Sequence, residues 1–154
     1  VFAGYWADTA ASATALRDGW LHTGDVGRFD ERGVLTLLDR KGDVIISGGT
    51  NIYPREVEEA LTQHPAVEEA CVFAVPDPEW GQSVAAAVVL RAGATATPDE
   101  LVDHCRARLA SFKKPKHVHT VAELPKSANG KILRRELRPT LGGAAGGGPS
   151  ADGS

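Results

Sequence analysis

Cysteine is scarce in this sequence: only Cys71 and Cys105 occur, far apart and in no metal-type spacing. That speaks against a disulfide-stapled scaffold or a thiolate metal site and leaves two reduced, buried or half-buried thiols. No hydrophobic run approaches the length of a transmembrane helix, and no signal peptide is visible, so a soluble, cytoplasmic setting is the default expectation, with no integral membrane segment. Charge of one sign is also lacking. A formal net charge of −3 argues neither for a nucleic-acid binder nor for an acidic-tail protein, and no nucleic-acid partner is expected. There is no internal repeat. There is no initiating methionine either: the chain opens at Val1, and its first residues already read as the middle of a domain. A piece of a longer protein is expected.

What is present is a core and one basic segment. Hydrophobic residues make up 42% of the 154 residues, enough for one good-sized domain. Between residues 111 and 138, five lysines and three arginines face two glutamates, a local +6 that leaves −9 elsewhere. A basic segment on an acidic body points to a specific anion, such as a phosphate group, more than to a long polyanion.

Patterning divides the chain. Residues 8–17 are Ala-rich, capped near Asp8 and stopped by Gly19, and predict a short helix. Residues 26–29 and 34–38 predict a hairpin. A break follows at 40–43. Beyond it come a strand at 44–47, a helix at 55–63 with Val57, Ala60 and Leu61 on one face, and a strand at 67–75. A nearly all-apolar strand at 83–90 should be buried on both faces. Thr97-Pro98-Asp99-Glu100 is a capping box for a helix reaching to about Ala110. A third core strand at 117–121, a loop at 124–131 and a short helix at 132–137 complete the series. The expected fold class is α+β, a small mixed sheet with flanking helices. Residues 1–39 read as the β-rich trailing edge of a larger domain, 40–43 as a hinge, 44–138 as a small mobile lid domain and 139–154 as a disordered tail.

Three stretches can carry chemistry. In Thr23-Gly24-Asp25 a glycine precedes a carboxylate on a tight turn, where the acid can accept two hydrogen bonds from a vicinal diol such as ribose; an ordinary Asx turn reads the same way. Arg40 offers a planar fork for phosphate or sugar oxygens, or a surface ion pair with Asp39 or Asp43. The stretch from Asp39 through Gly48-Gly49 to Pro54-Arg55-Glu56-Val57-Glu58 joins a charged turn, a strand, paired glycines and a helix start with proline at its first position. Last, Pro125-Lys126-Ser127-Ala128-Asn129-Gly130-Lys131-Ile132-Leu133-Arg134 holds a lysine behind flexible residues and ahead of an apolar anchor. An ammonium so placed can stabilise charge developing on carboxylate or phosphate oxygens; a solvated basic tail is the alternative. It is not a phosphate-cradling loop of the GxxxxGK[ST] kind, because the upstream glycine is missing.

Taken together, in this order and spacing, the three motifs resemble the last motifs of the adenylate-forming enzymes, and the acyl-CoA synthetases in particular. The resemblance runs from Gly4-Tyr5-Trp6 to about Leu137. It implies that a carboxylate attacks the α-phosphate of Mg-ATP to give an acyl-adenylate and pyrophosphate, after which the CoA thiol displaces AMP. By position, Asp25 would bind the ribose hydroxyls of ATP or AMP with help from Arg40. Lys131 would bridge carboxylate and phosphate oxygens during adenylation. Gly48 and Gly49 would line the pantetheine path, and Gly42 with Asp43 would form the hinge about which the small domain rotates. The hinge position is usually Lys or Asp in the family and is Gly42 here, which predicts easier rotation with less control of its end states. No residue here is assigned to a metal. The family's phosphate loop, its Mg2+-holding Glu and most of its acyl pocket should lie upstream, in the missing N-terminal domain. The fragment alone is therefore expected to be inactive and to hold no ligand tightly.

Weaker signals stay open. His22 reads as packing. His117 and His119 share one face of a strand, without an evident third ligand. Trp80-Gly81 is a structural turn or lies near CoA. Lys113, Lys114 and Lys116 meet CoA phosphates or solvent. An adenylating ligase that loads a carrier protein is the second enzymatic reading; a non-catalytic module binding CoA or a partner is the third, for the isolated chain. Self-association through the face that would meet the large domain is also open.

Overall fold

Asp8 sets the first element. Its carboxylate accepts a hydrogen bond from the Ala11 N–H at 2.8 Å and so caps α1 (Thr9–Ala15). The helix ends two residues earlier than its composition predicts. Asp18 and Gly19, at φ 53° and 80°, make a two-residue turn that pairs β1 (Leu16–Arg17) with β2 (Trp20–Leu21). An Asp-Gly pair suits such a turn because both positions need positive φ. Strands β3 (Asp25–Phe29) and β4 (Leu35–Arg40) form the expected antiparallel hairpin. The Asp30 carboxylate closes it by accepting from the N–H groups of Arg32 and Val34. Strand β4 runs through Arg40, so the expected break begins only at Lys41.

The computed structural model describes residues 2–141, and these divide into two units, the first ending at Gly42 and the second beginning at Asp43. The second opens with a hairpin of β5 (Ile45–Ser47) and β6 (Thr50–Ile52). Strand β6 was not expected; three residues leave no periodicity to read. Helix α2 (Pro54–Thr62) follows, with proline in its first turn and Val57, Ala60 and Leu61 buried. Their i, i+3, i+4 spacing makes one stripe, and burying a Val or Leu side chain contributes about 1.5–3 kcal/mol.

The sheet comes next. Strand β7 (Val67–Asp77) pairs antiparallel with β8 (Gly81–Leu90), which pairs parallel with β9 (His117–Thr120). The order is β7-β8-β9, so the sheet is mixed and β8 is central. Pro76 is tolerated within β7 because β7 is an edge strand. Helix α3 (Pro98–Arg106) makes the crossover between β8 and β9, and its Thr97–Glu100 capping box is complete. It stops at Arg106, short of the expected Ala110, and a 3-10 turn (Ser111–Lys113) follows.

Both faces of β8 are covered. Val84, Ala86 and Val88 pack with Val57, Leu61, Leu101 and Cys105 under α2 and α3. Ala85 and Ala87 pack with Cys71, Phe73, Leu124 and Leu137 on the other side. Leu137 belongs to α4 (Arg134–Leu141). That helix starts later than expected and continues through Pro139, so the tail expected from 139 is helical to Leu141; 142–154 lie outside the described residues. The architecture is α+β. Among the described residues no helix is long and apolar enough to cross a membrane.

Candidate functional site

In the first unit, the register of β3 and β4 sets Asp25 opposite Arg40. The Arg40 Nε donates to Asp25 Oδ1 at 2.8 Å, and its Nη1 reaches the Thr23 carbonyl at 3.4 Å. Arg40 thus pairs with Asp25 across the hairpin, and its backbone N–H donates to Asp39 Oδ1 at 2.8 Å. Gly24 sits at φ 77°, and its carbonyl accepts from the Lys41 N–H at 2.7 Å. The Thr23 hydroxyl accepts from the Asp25 N–H at 3.1 Å. The turn is therefore fixed on both sides of the carboxylate. It borders a concavity of about 780 Å³ lined by Ala11, Thr14, Arg17, His22, Thr23 and Asp25, among others. His22 does not pack in a core: it is exposed, and its Nδ1 lies 3.2 Å from Arg17 Nη2.

In the second unit, Gly48 and Gly49 form the two-residue turn of the β5–β6 hairpin at φ 54° and 79°. Gly48 is bound on one side by Trp80: its N–H donates to the Trp80 carbonyl at 3.0 Å, and a Cβ added to it would stand 2.6 Å from the indole ring. Gly49 faces open space. A pocket of about 450 Å³ lies beside Gly48, walled by Trp80, Ser83, Phe112, Lys114 and Lys116 with neighbours.

Asp77 organises that pocket, and the sequence did not single it out. Its buried carboxylate accepts from the N–H groups of Glu79 and Trp80 at 3.0 and 3.1 Å. The other oxygen takes the Lys116 ammonium at 2.8 Å. Lys116, with the Trp80 N–H behind it, holds the Asp77 carboxyl well below the usual range, at about 2. The three lysines of this segment have separate fates. Lys113 is tied to Glu56 at 2.7 and 2.8 Å, Lys116 to Asp77, and Lys114 lines the pocket. The Ser83 hydroxyl, also at the pocket, is buried without a hydrogen-bond partner among the described residues.

Lys131 stands on an exposed, closed turn. The Ser127 N–H donates to the Lys131 carbonyl at 2.8 Å, and Gly130 N–H to the Ser127 carbonyl at 2.8 Å. The Ser127 hydroxyl accepts from the Lys131 N–H at 3.2 Å. Lys126 and Ile132 bridge the base of the turn, and the Leu133 N–H donates to the Pro125 carbonyl at 2.7 Å. The backbone is thus fixed while the ammonium faces solvent. Burial pushes both thiols, Cys71 and Cys105, up to about 11, so neither is a nucleophile at neutral pH. His117 and His119 lie half-buried on one face of β9. Among the described residues no group of three or more His, Cys, Asp or Glu gathers to hold a metal ion.

Comparison with known proteins gives a consistent match. Residues 56–131 fit the family model described as the AMP-binding enzyme C-terminal domain. The chain is 54% identical over 137 residues to a long-chain-fatty-acid–CoA ligase of Bacillus subtilis, covering 89% of this chain and 24% of that protein. Among solved structures, it resembles the o-succinylbenzoate CoA synthetase of Bacillus subtilis in complex with an acyl-adenylate intermediate, at 43% identity and a TM-score of 0.83. That match covers 88% of this chain and 28% of the other. It is equally close in fold to the amide bond synthetase of Marinactinospora thermotolerans, at 43% identity and a TM-score of 0.82, over 90% of this chain and 29% of that one. The chain spans about a quarter of the length of the relatives it matches.

Proposed function

We propose that the chain, whose residues 56–131 fit the C-terminal domain of the AMP-binding enzymes, is the C-terminal portion of an ATP-dependent acid–CoA ligase. The whole protein joins a carboxylic acid to ATP, giving acyl-adenylate and pyrophosphate. The CoA thiol then attacks the acyl carbonyl and expels AMP. The observation that carries this reading is the likeness to a CoA ligase across both units of the chain, with Lys131 on its exposed turn inside the matched region.

The geometry supports a role for each part. Arg40 occupies one oxygen of Asp25; a carboxylate has about four lone-pair sites, so the other oxygen is available to ribose hydroxyls. The Lys131 ammonium would balance charge on the attacking carboxylate and the α-phosphate, an effect of about 10²–10³ in rate for a single well-placed donor. Mg2+ accompanies the triphosphate, and its protein ligand is expected outside residues 1–154. In the second unit, Gly48 gives the backbone close approach to a passing pantetheine arm, and Lys114 and Lys116 offer charge to the CoA phosphates. Gly49 stands beside Gly48, with nothing within 4 Å of where a Cβ would lie. Gly42 and Asp43 serve as the hinge between half-reactions. Two buried, free thiols suit a reducing, cytoplasmic setting.

The likeness to an amide bond synthetase favours one alternative: adenylation kept, with the acyl group passed to an acceptor other than CoA, a carrier protein or an amine. The test uses the full-length protein with ATP, Mg2+ and a panel of carboxylic acids. Pyrophosphate and AMP release over many turnovers only when CoA is present is the expected result. One equivalent of pyrophosphate, unchanged by CoA, would remove CoA as acceptor.

A further inference from the structure

Arg134 lies three residues beyond Lys131 and heads α4. Its guanidinium is largely buried, with 19% of the side chain exposed. It donates through Nη2 to Glu58 Oε1 and through Nη1 to Asp43 Oδ2, both at 2.7 Å. Glu58 Oε1 also accepts from the Val72 N–H of β7 at 2.8 Å, and Arg138 stands 4.0 Å from the second oxygen of Asp43. One guanidinium therefore ties together the start of α4, the second turn of α2, the edge of the sheet and Asp43, the first residue of the second unit.

A buried ionic network of this kind is a poor source of stability. The desolvation of each charge offsets most of the attraction, and an apolar cluster of equal volume would hold the fold as well. What the network supplies is geometry: a planar fork fixes two carboxylates at once, which lysine or an apolar side chain does not. The two carboxylates sit where geometry matters. Asp43 follows Gly42 at the division between the units, and the Lys131 turn hangs on the peptide that enters α4.

We propose that Arg134 is a positioning residue for Lys131, clipping the lysine turn to the linker so that the ammonium and the pivot move as one body. The inference rests on the reading of Lys131 as the adenylation lysine. With the clip cut, the core remains, held by Leu137, Leu124 and the β8 face, while the turn drifts. Adenylation, which needs the ammonium in register, falls; thioester formation from acyl-adenylate already made does not.

Two measurements decide it. In the 154-residue chain, hydrogen exchange of Arg134→Gln should speed the amides of Ser127, Gly130, Lys131 and Leu133 by about tenfold or more. The amides of β8 should keep their protection, and Arg134→Lys should recover part of the difference. No change at the turn, or a uniform rise through α2, β7 and β8, overturns the proposal. In the full-length protein, Arg134→Gln should lower kcat for pyrophosphate release by about 100-fold, as a misplacement near 1 Å does. The KM for ATP and the rate of thioester formation from supplied acyl-adenylate should hold. A parallel loss in both half-reactions also overturns it. If the unaltered protein releases pyrophosphate with no acid, the enzymatic reading falls, and the exchange result alone decides whether the clip exists.

Discussion

Asp77 is the residue whose chemistry is most exposed to test. Its folded-state pKa, about 2, lies below its ordinary value of 3.8. The stabilisation from the Lys116 and Trp80 contacts is therefore fully present above pH 4 and is lost as pH falls from there towards 2. Acid unfolding followed by tryptophan fluorescence should show that loss, and Asp77→Asn should be less stable at neutral pH while losing less between pH 4 and 2. Gly48 offers a steric test. Gly48→Ala forces a side chain into positive φ and against the Trp80 ring, at a cost of about 1–3 kcal/mol. Adding Trp80→Ala should return the steric share, measured as non-additivity in denaturant midpoints. At this scale the sequence was partly legible. Asp25 and Arg40 stood out because each borders a turn, and the strand register brings them together. Asp77 did not, since its partner Lys116 lies far along the chain and their pairing needs the parallel β8–β9 register. Nothing in the Pro76-Asp77-Pro78 run distinguishes it from an ordinary turn.

Elements were legible in proportion to their length and their caps. The alternation-free run of β8 announced burial on both faces, and the structure has it central with helices on either side. The Thr97 capping box was readable letter by letter, and Thr97→Ala should cost about 1 kcal/mol. In a domain of this size that lowers the melting temperature by about 4–8 °C, which calorimetry would resolve. The short hairpins were harder. Asp18-Gly19 and Gly48-Gly49 both build two-residue turns at positive φ, but their strands are two or three residues long and carry no period. Helix ends also drifted. The last helix was expected to stop at Leu137, yet Pro139 sits within it, where its missing N–H removes one helical hydrogen bond.

At the scale of the whole molecule the proposed hinge is Gly42, the last residue of the first unit. It is absent from the glycines held at positive φ, and a Cβ there would meet nothing within 4 Å. The freedom of a glycine is thus unused in this conformation, which is compatible with the proposed hinge. Gly42→Pro in the full-length protein should trap one half-reaction and spare the other, read as pyrophosphate release against thioester formation. Equal loss of both, or of neither, speaks against a hinge. The acid to be activated was not legible from residues 1–154 at any scale, because the pocket that would select it is expected elsewhere in the protein.

The most direct measurement separates the two half-reactions in Lys131→Ala. With ATP and the preferred acid, the full-length variant should lose pyrophosphate release by about 10²-fold or more. With acyl-adenylate supplied ready-made, it should still pass the acyl group to CoA at nearly the unaltered rate. That pattern places the lysine in adenylation alone, as the account requires. Full pyrophosphate release by the variant would contradict it, and Lys131 would then be a solvated surface charge.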